Sequence, residues 1–159
     1  MHFAGAHTYS HSTLAKKRLL ENYLQPQPIM PKKSSIEPKH IPAQEWLRKN
    51  DPPNGSQEGV DFGVGCVIIR YSTDVVGEGP NLHVHPYDEI FNILDGRAEF
   101  TVGDQKFIAE AGSIVIGPAN VPHAYKNLGP GRLDSLDVHM NNEWIQYDLP
   151  REGEKLVSP

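Results

Sequence analysis

From about Val60 onward the chain alternates in twos. Across Arg97–Val102, Ala98, Phe100 and Val102 fall on one side while Arg97, Glu99 and Thr101 fall on the other. That is the period of a half-buried strand. Asp95-Gly96 just before it is a preferred two-residue turn, so 90–102 reads as a hairpin. Gly103-Asp104 marks the next turn, leading into 106–109. The stretch 64–71 is almost continuously apolar and predicts a strand buried on both sides, with Cys66 as a small core residue. In 133–140 the apolar set Leu136, Val138 and Met140 opposes the polar set Ser135, Asp137 and His139. Either set suits the barrel interior, and an outer, solvated place for the polar set is the expectation. Short strands joined by short turns imply an antiparallel barrel or sandwich rather than βαβ units.

The ends read differently. Residues 1–42 form an N-terminal extension. Ser12 is a candidate cap for a short helix over 12–24 that carries Leu20 and Leu24 on one face. Gln25-Pro26-Gln27-Pro28, Pro31 and Lys32-Lys33-Ser34-Ser35 then read as a linker. Met30 is an alternative start. The extension is expected to be a partly disordered tail or an arm packed on a partner subunit. A turn or two of helix is expected over 43–49, stopped by Asn50-Asp51-Pro52-Pro53, with Trp46 and Leu47 plugging a barrel end or a subunit contact. The barrel domain is placed at 43–150, and 151–159 is read as a frayed charged tail.

Composition narrows the class. A chain of 159 residues suits one domain. Its formal net charge of -5 gives no footprint for nucleic acid or an anionic membrane. The one cysteine forbids an intrachain disulfide and suits a reducing, cytoplasmic setting. Neither a secretory signal nor a membrane-spanning stretch is read.

The chemistry gathers in 77–96. His83 and His85 are two apart, so on an extended backbone both imidazoles share a face opposite Leu82 and Val84. Pro86 bends the chain and lets the carboxylate of Glu89 return to the same point. Two imidazoles and a carboxylate converging are the makings of a divalent-metal site; alone, a solvated loop with incidental histidines would be the simpler reading. A second stretch, 112–127, argues against that simpler reading by placing His123 in a strand-like segment after a Gly/Pro turn.

Here the chain resembles the cupin family. Gly77-x5-His83-x-His85-x3-Glu89-x6-Gly96 matches the first cupin motif at every specified position, and Gly112-x5-Pro118-x4-His123-x3-Asn127 matches the second. The departure is Asn120, where the family usually has glycine; asparagine also tolerates the left-handed backbone. The resemblance, closest to small single-domain microbial members, implies an all-β jelly-roll barrel. It also implies one divalent ion per chain on His83, His85, Glu89 and His123.

Strand parity then places Tyr125 and Asn127 on the face of His123, and Phe91 and Ile93 on that of Glu89. Phe91 and Asn127 are expected on the pocket wall, joined by Asp137 if the polar set of 133–140 turns inward; Tyr125 and, on the same condition, His139 are the candidate catalytic groups. Four protein ligands leave room for a chelating substrate, and the donor set accepts Fe, Mn, Ni, Co or Zn. Resemblance to cupin dioxygenases makes an iron(II) dioxygenase acting on a small oxygen-rich molecule the first expectation. A redox-neutral isomerase or lyase and a non-catalytic binder are the alternatives. No Gly-x-Ser-x-Gly supports a serine hydrolase, and no helix-turn-helix supports a regulator. A homodimer is expected, since cupins commonly pair through their sheets and pairing removes an exposed apolar edge.

Overall fold

The structure, a computed structural model, describes residues 34–150; the expectations for 1–33 and 151–159 lie outside the described residues. Ten short strands build two antiparallel five-stranded sheets. The first sheet has the order β1 (Gly55–Gln57), β2 (Val67–Thr73), β9 (Leu133–His139), β4 (Glu89–Asp95), β7 (Ile114–Gly117). The second has β10 (Tyr147–Asp148), β3 (His83–Val84), β8 (His123–Asn127), β5 (Arg97–Val102), β6 (Gln105–Glu110). Among the described residues, helix is confined to α1 (Ala43–Trp46) and one 3-10 turn (Gly59–Asp61).

The alternation read in β5 is the one observed: Ala98 and Phe100 are buried and Arg97 and Glu99 exposed. The Asp95-Gly96 turn is not a hairpin, however. β4 pairs with β7 and β9, whereas β5 pairs with β6 and β8, so Gly96 is a corner between sheets. Local turn chemistry tells that the chain bends, not which strand it then meets. Gly96 is required there: its φ is +75°, and a Cβ would lie 2.1 Å from the carbonyl oxygen of Arg132. Gly103-Asp104 does close a true hairpin, with Val102 opposite Gln105.

The stretch 64–71 becomes β2 shifted C-terminally, with Val67 fully buried and the following residues half-buried. Cys66 precedes the strand and is half-exposed rather than core. Trp46 lies beside Ile41, Phe62 and Ile68 at the edge formed by β1 and β2. Ile36 and Ile41, from the described part of the extension, line an apolar hollow with Phe62 and Val64.

The interior is divided along its length. One end is an apolar core of Phe91, Ile93, Ala98, Phe100, Ala109, Val115 and Leu133, closed by Tyr125. The rings of Phe91, Phe100 and Tyr125 meet at centroid distances of 4.9 to 5.6 Å. The other end is polar. In β9, Ser135, Asp137 and His139 are at most 4% exposed, so the polar set faces inward and the expectation of an outer, solvated face is corrected. The apolar set becomes the outer face because the inward polar groups find partners inside the barrel, Tyr125 for Ser135 and Asp137 and Glu89 for His139.

Candidate metal centre

Strand register brings the motif residues together. His83 of β3 stands opposite His123 of β8, and Glu89 of β4 stands opposite both Gly117 of β7 and His139 of β9. His85 enters from the bend after β3. The second motif is tied to the first through Asn120, whose φ of +60° lets its N–H donate to the His85 carbonyl at 2.7 Å. Asparagine thus fills the left-handed position where glycine is usual.

His83, His85, Glu89 and His123 are all buried, and their donor atoms lie within 4.8 Å of one another. Each imidazole is held by its other nitrogen. The Nδ1 atoms of His83, His85 and His123 donate to the carbonyls of Asn81, Ile145 and Val121 at 2.6, 2.6 and 2.8 Å. That fixes the tautomer and leaves all three Nε2 lone pairs for a cation, the outer-shell arrangement expected of metal-binding histidines. His85 Nε2 is 3.1 Å from Glu89 Oε2 yet makes no hydrogen bond, an orphaned buried atom whose lone pair a metal would take up. The residues present therefore fit one divalent ion. Burial lowers the pKa of His83 below the ordinary imidazole value, keeping it in the neutral, metal-binding form. Burial alone would raise Glu89, but the imidazoles of His123, His139 and His85 packed around its carboxyl outweigh it and hold the group well below its usual range.

His139 adds what the ligand motif does not contain. Its Nε2 lies 3.0 Å from Glu89 Oε1, while His123 Nε2 lies 3.0 Å from Oε2. One carboxylate oxygen is thus engaged by β9 and the other faces the cage. A cavity of about 210 Å³ opens beside the donors, lined by His83, Glu89, Phe91, Tyr125, Asp137 and His139 and flanked by Tyr71, Trp144 and Gln146. A larger open depression of about 340 Å³ over β1 and β2 shares Tyr71 and Trp144 with it but contains none of the metal donors.

Asn127 is not brought to the cavity. Its Nδ2 donates to the carbonyls of Thr73 and Gly131 and its Oδ1 accepts from the Gly129 N–H, so it braces the far end of β8. Tyr125 is buried and donates to Asp137 Oδ2 at 3.0 Å, with Ser135 Oγ 3.2 Å from its hydroxyl. Burial, then the Asp137 carboxyl, raises the Tyr125 pKa well above its ordinary value.

Three contributors were missed in the sequence. Ser135 belongs to the Tyr125 network, and only the polar side of β9 hinted at it. Gly117 faces the cage, where a Cβ would lie 3.2 Å from both His123 Nδ1 and Phe91 Cε2. Tyr87 stacks on His85 at a centroid distance of 5.1 Å and exchanges two hydrogen bonds with the Ile145 backbone, a partner no local pattern reveals.

A cupin domain profile matches residues 71–139. Similar solved structures include oxalate decarboxylase in a study of its substrate binding mode and reaction-specificity switch. The TM-score is 0.56 and the identity 21%, over 61% of this chain and 28% of that one. The Bacillus subtilis enzyme studied for its Mn(II) centres matches with the same values. Its structure at pH 4.6 matches with a TM-score of 0.55 at 21% identity, over 61% of this chain and 27% of that one. The chain thus spans under a third of the length of those proteins, and the likeness is one of fold. No curated protein matches the chain.

Proposed function

With residues 71–139 belonging to the cupin superfamily, we propose that the chain is a metal-dependent enzyme. Its substrate is a small oxygen-rich molecule that chelates the ion: a diketone, phenol, hydroxy acid or sugar acid. One observation carries this reading: the buried three-histidine, one-glutamate cage opens on a cavity whose wall also holds Tyr125, Asp137 and His139. A purely structural site would close on the metal with four ligands, usually including cysteines, and would have no use for a polar chamber beside it. The cavity, about 210 Å³, is below the range typical of drug-sized ligands and so suits a small metabolite.

A divalent ion held by His83, His85, Glu89 and His123 supplies Lewis acidity and, if it is iron(II), dioxygen chemistry. The first reading is a dioxygenase-type reaction, supported by a donor set that leaves coordination positions for substrate and oxygen. The second is a redox-neutral isomerase or lyase reaction, favoured by Asp137, His139 and Tyr125, which can hold and deliver protons beside the bound molecule. In either case the chain's own residues divide the work. Tyr125 orients, His139 holds Glu89 in place, and Phe91 and Trp144 restrict water.

Oxygen consumption separates the two. Protein loaded with iron(II), screened against chelating acids and diketones in an oxygen electrode, consumes dioxygen with turnover on the first reading. Anaerobic turnover with manganese or zinc supports the second. Binding of chelators without turnover in either atmosphere leaves a small-molecule binder and removes both enzyme readings.

The assembly proposed is a homodimer. On the outer face of the first sheet, Ile116, Ile90, Val138 and Ile68 stand in one cross-strand row, and Ile114 and Ile116 are 68% and 51% exposed. Such a row on an edge strand is a liability that a second copy removes. Light scattering at micromolar concentration should return twice the chain mass; a monomer mass overturns the assembly. A cytoplasmic location remains the proposal suggested by the single cysteine.

A further inference from the structure

The cavity beside the metal cage adjoins a second hollow. It shares Ile69, Tyr71 and Trp144 with the open depression over β1 and β2. The inner hollow, about 210 Å³, is smaller than the roughly 300 to 1,000 Å³ usual for ligand sites, and the outer one, about 340 Å³, holds none of the metal donors. Taken as one, they have the size of a site for a molecule with a head and an arm.

The shared wall is reachable from solvent. Trp144 is 46% exposed, a large share for an indole. Tyr71 is half-buried, and its hydroxyl makes no hydrogen bond among the described residues, yet it is not one of their sealed polar atoms. Both rings are nonetheless set in place. The Trp144 ring lies 6.3 Å from that of His139, and the next residue, Ile145, is fixed by His85 and Tyr87. The Tyr71 ring stands edge-on to buried Tyr125, with centroids 5.7 Å apart. An indole held in place with an open flank is a surface on which another ring can stack. Charge does not define the outer hollow. Arg70 is taken by Asp134, Glu78 accepts from Thr73, and Arg48 is exposed, where water weakens its pull.

We propose that the metal-bound ligand carries an aromatic arm, which extends from the chelating head in the inner cavity, lies against Trp144 and passes Tyr71 into the outer depression. This deepens, and rests on, the metal-dependent reading above. The inner cavity sets the size of the chelating head, and the Trp144 indole selects the arm. A ligand with only a methyl in place of the arm leaves the indole open to water and forgoes the apolar contact.

The test uses the full chain loaded with cobalt(II), whose visible absorption reports ligand binding, titrated with benzohydroxamate and with acetohydroxamate. The two chelate through the same atoms and differ in phenyl against methyl. Wild type should prefer benzohydroxamate by about tenfold beyond any preference shown by aqueous cobalt(II). Trp144→Ala, with cobalt content measured in parallel, should reduce that margin to about twofold, and Trp144→Phe, which keeps a ring, should recover most of it. Trp144→Leu, which fills more of the space without a ring, should give the same loss and replaces Trp144→Ala if the latter does not hold cobalt. A wild type with no preference beyond that of the aqueous ion, or a margin that survives loss of the ring with cobalt still bound, overturns the proposal. Failure of wild type to bind cobalt, or to bind either hydroxamate, overturns instead the metal-dependent reading on which it rests.

Discussion

The imidazole of His85 and the backbone carbonyl of Ile145, 60 residues apart in sequence, are joined by a 2.6 Å hydrogen bond. The Tyr87 hydroxyl reinforces this link, donating to the same carbonyl and accepting from the Ile145 N–H, both at 2.9 Å. The linker between β9 and β10 carries Trp144 and Gln146 to the cavity wall, so a metal ligand and one wall of the cavity are held by the same peptide group. Tyr87→Phe removes both hydroxyl bonds but keeps the ring stack. Metal affinity should fall by roughly tenfold, the lower end for outer-shell changes, as measured by competition with a chromogenic chelator.

His123→Ala should lower metal content sharply while the far-UV circular dichroism stays that of the folded protein, because the apolar core lies at the opposite end. Equal metal in mutant and wild type by elemental analysis would remove His123 from the cage.

Gly117→Ala tests crowding rather than ligation. The added methyl would stand 3.2 Å from the His123 ring and from Phe91, which is only 1% exposed and backed by the core, so neither neighbour gives easily. Chelator competition should show weaker metal binding with a stability loss of about 1 to 3 kcal/mol.

Phe100→Ala should be the most destabilising of these changes. Its side chain is 0% exposed and touches the rings of Phe91, Phe107 and Tyr125. A cost of about 3 to 5 kcal/mol in denaturant titration is expected for a cavity of this size.

Asp137 gives the pH prediction. Its folded pKa is raised above the unfolded value of 3.8, with burial the main cause. Stability from this group is therefore fully present below the unfolded pKa and is lost as pH rises towards the folded one. Asp137→Asn cannot ionise and escapes that loss. In the metal-free protein the mutant should gain on wild type steadily from pH 4.5 to 8 in thermal melts, and a constant gap would refute the raised value.

The cluster of His83, His85, Glu89 and His123 was legible because its spacing is a local code: two imidazoles two apart, a proline bend, a carboxylate, and a fourth donor after a glycine-marked turn. The parity that put Phe91 with Glu89 and Tyr125 with His123 follows from the strand period alone. What could not be read depended on partners far along the chain. Nothing near Asp95-Gly96 says that β4 and β5 belong to different sheets. Nothing near Asn127 says that three backbone groups claim its amide. The inward turn of Asp137 and His139 contradicts the usual sense of a polar strand face, and only the chamber they line explains it.

The three backbone carbonyls of Asn81, Ile145 and Val121 orient the imidazoles of His83, His85 and His123 through Nδ1. The aim of each ring is thereby set by the main chain, so a side-chain substitution at Asn81, Val121 or Ile145 that keeps the backbone path keeps the aim of the cage.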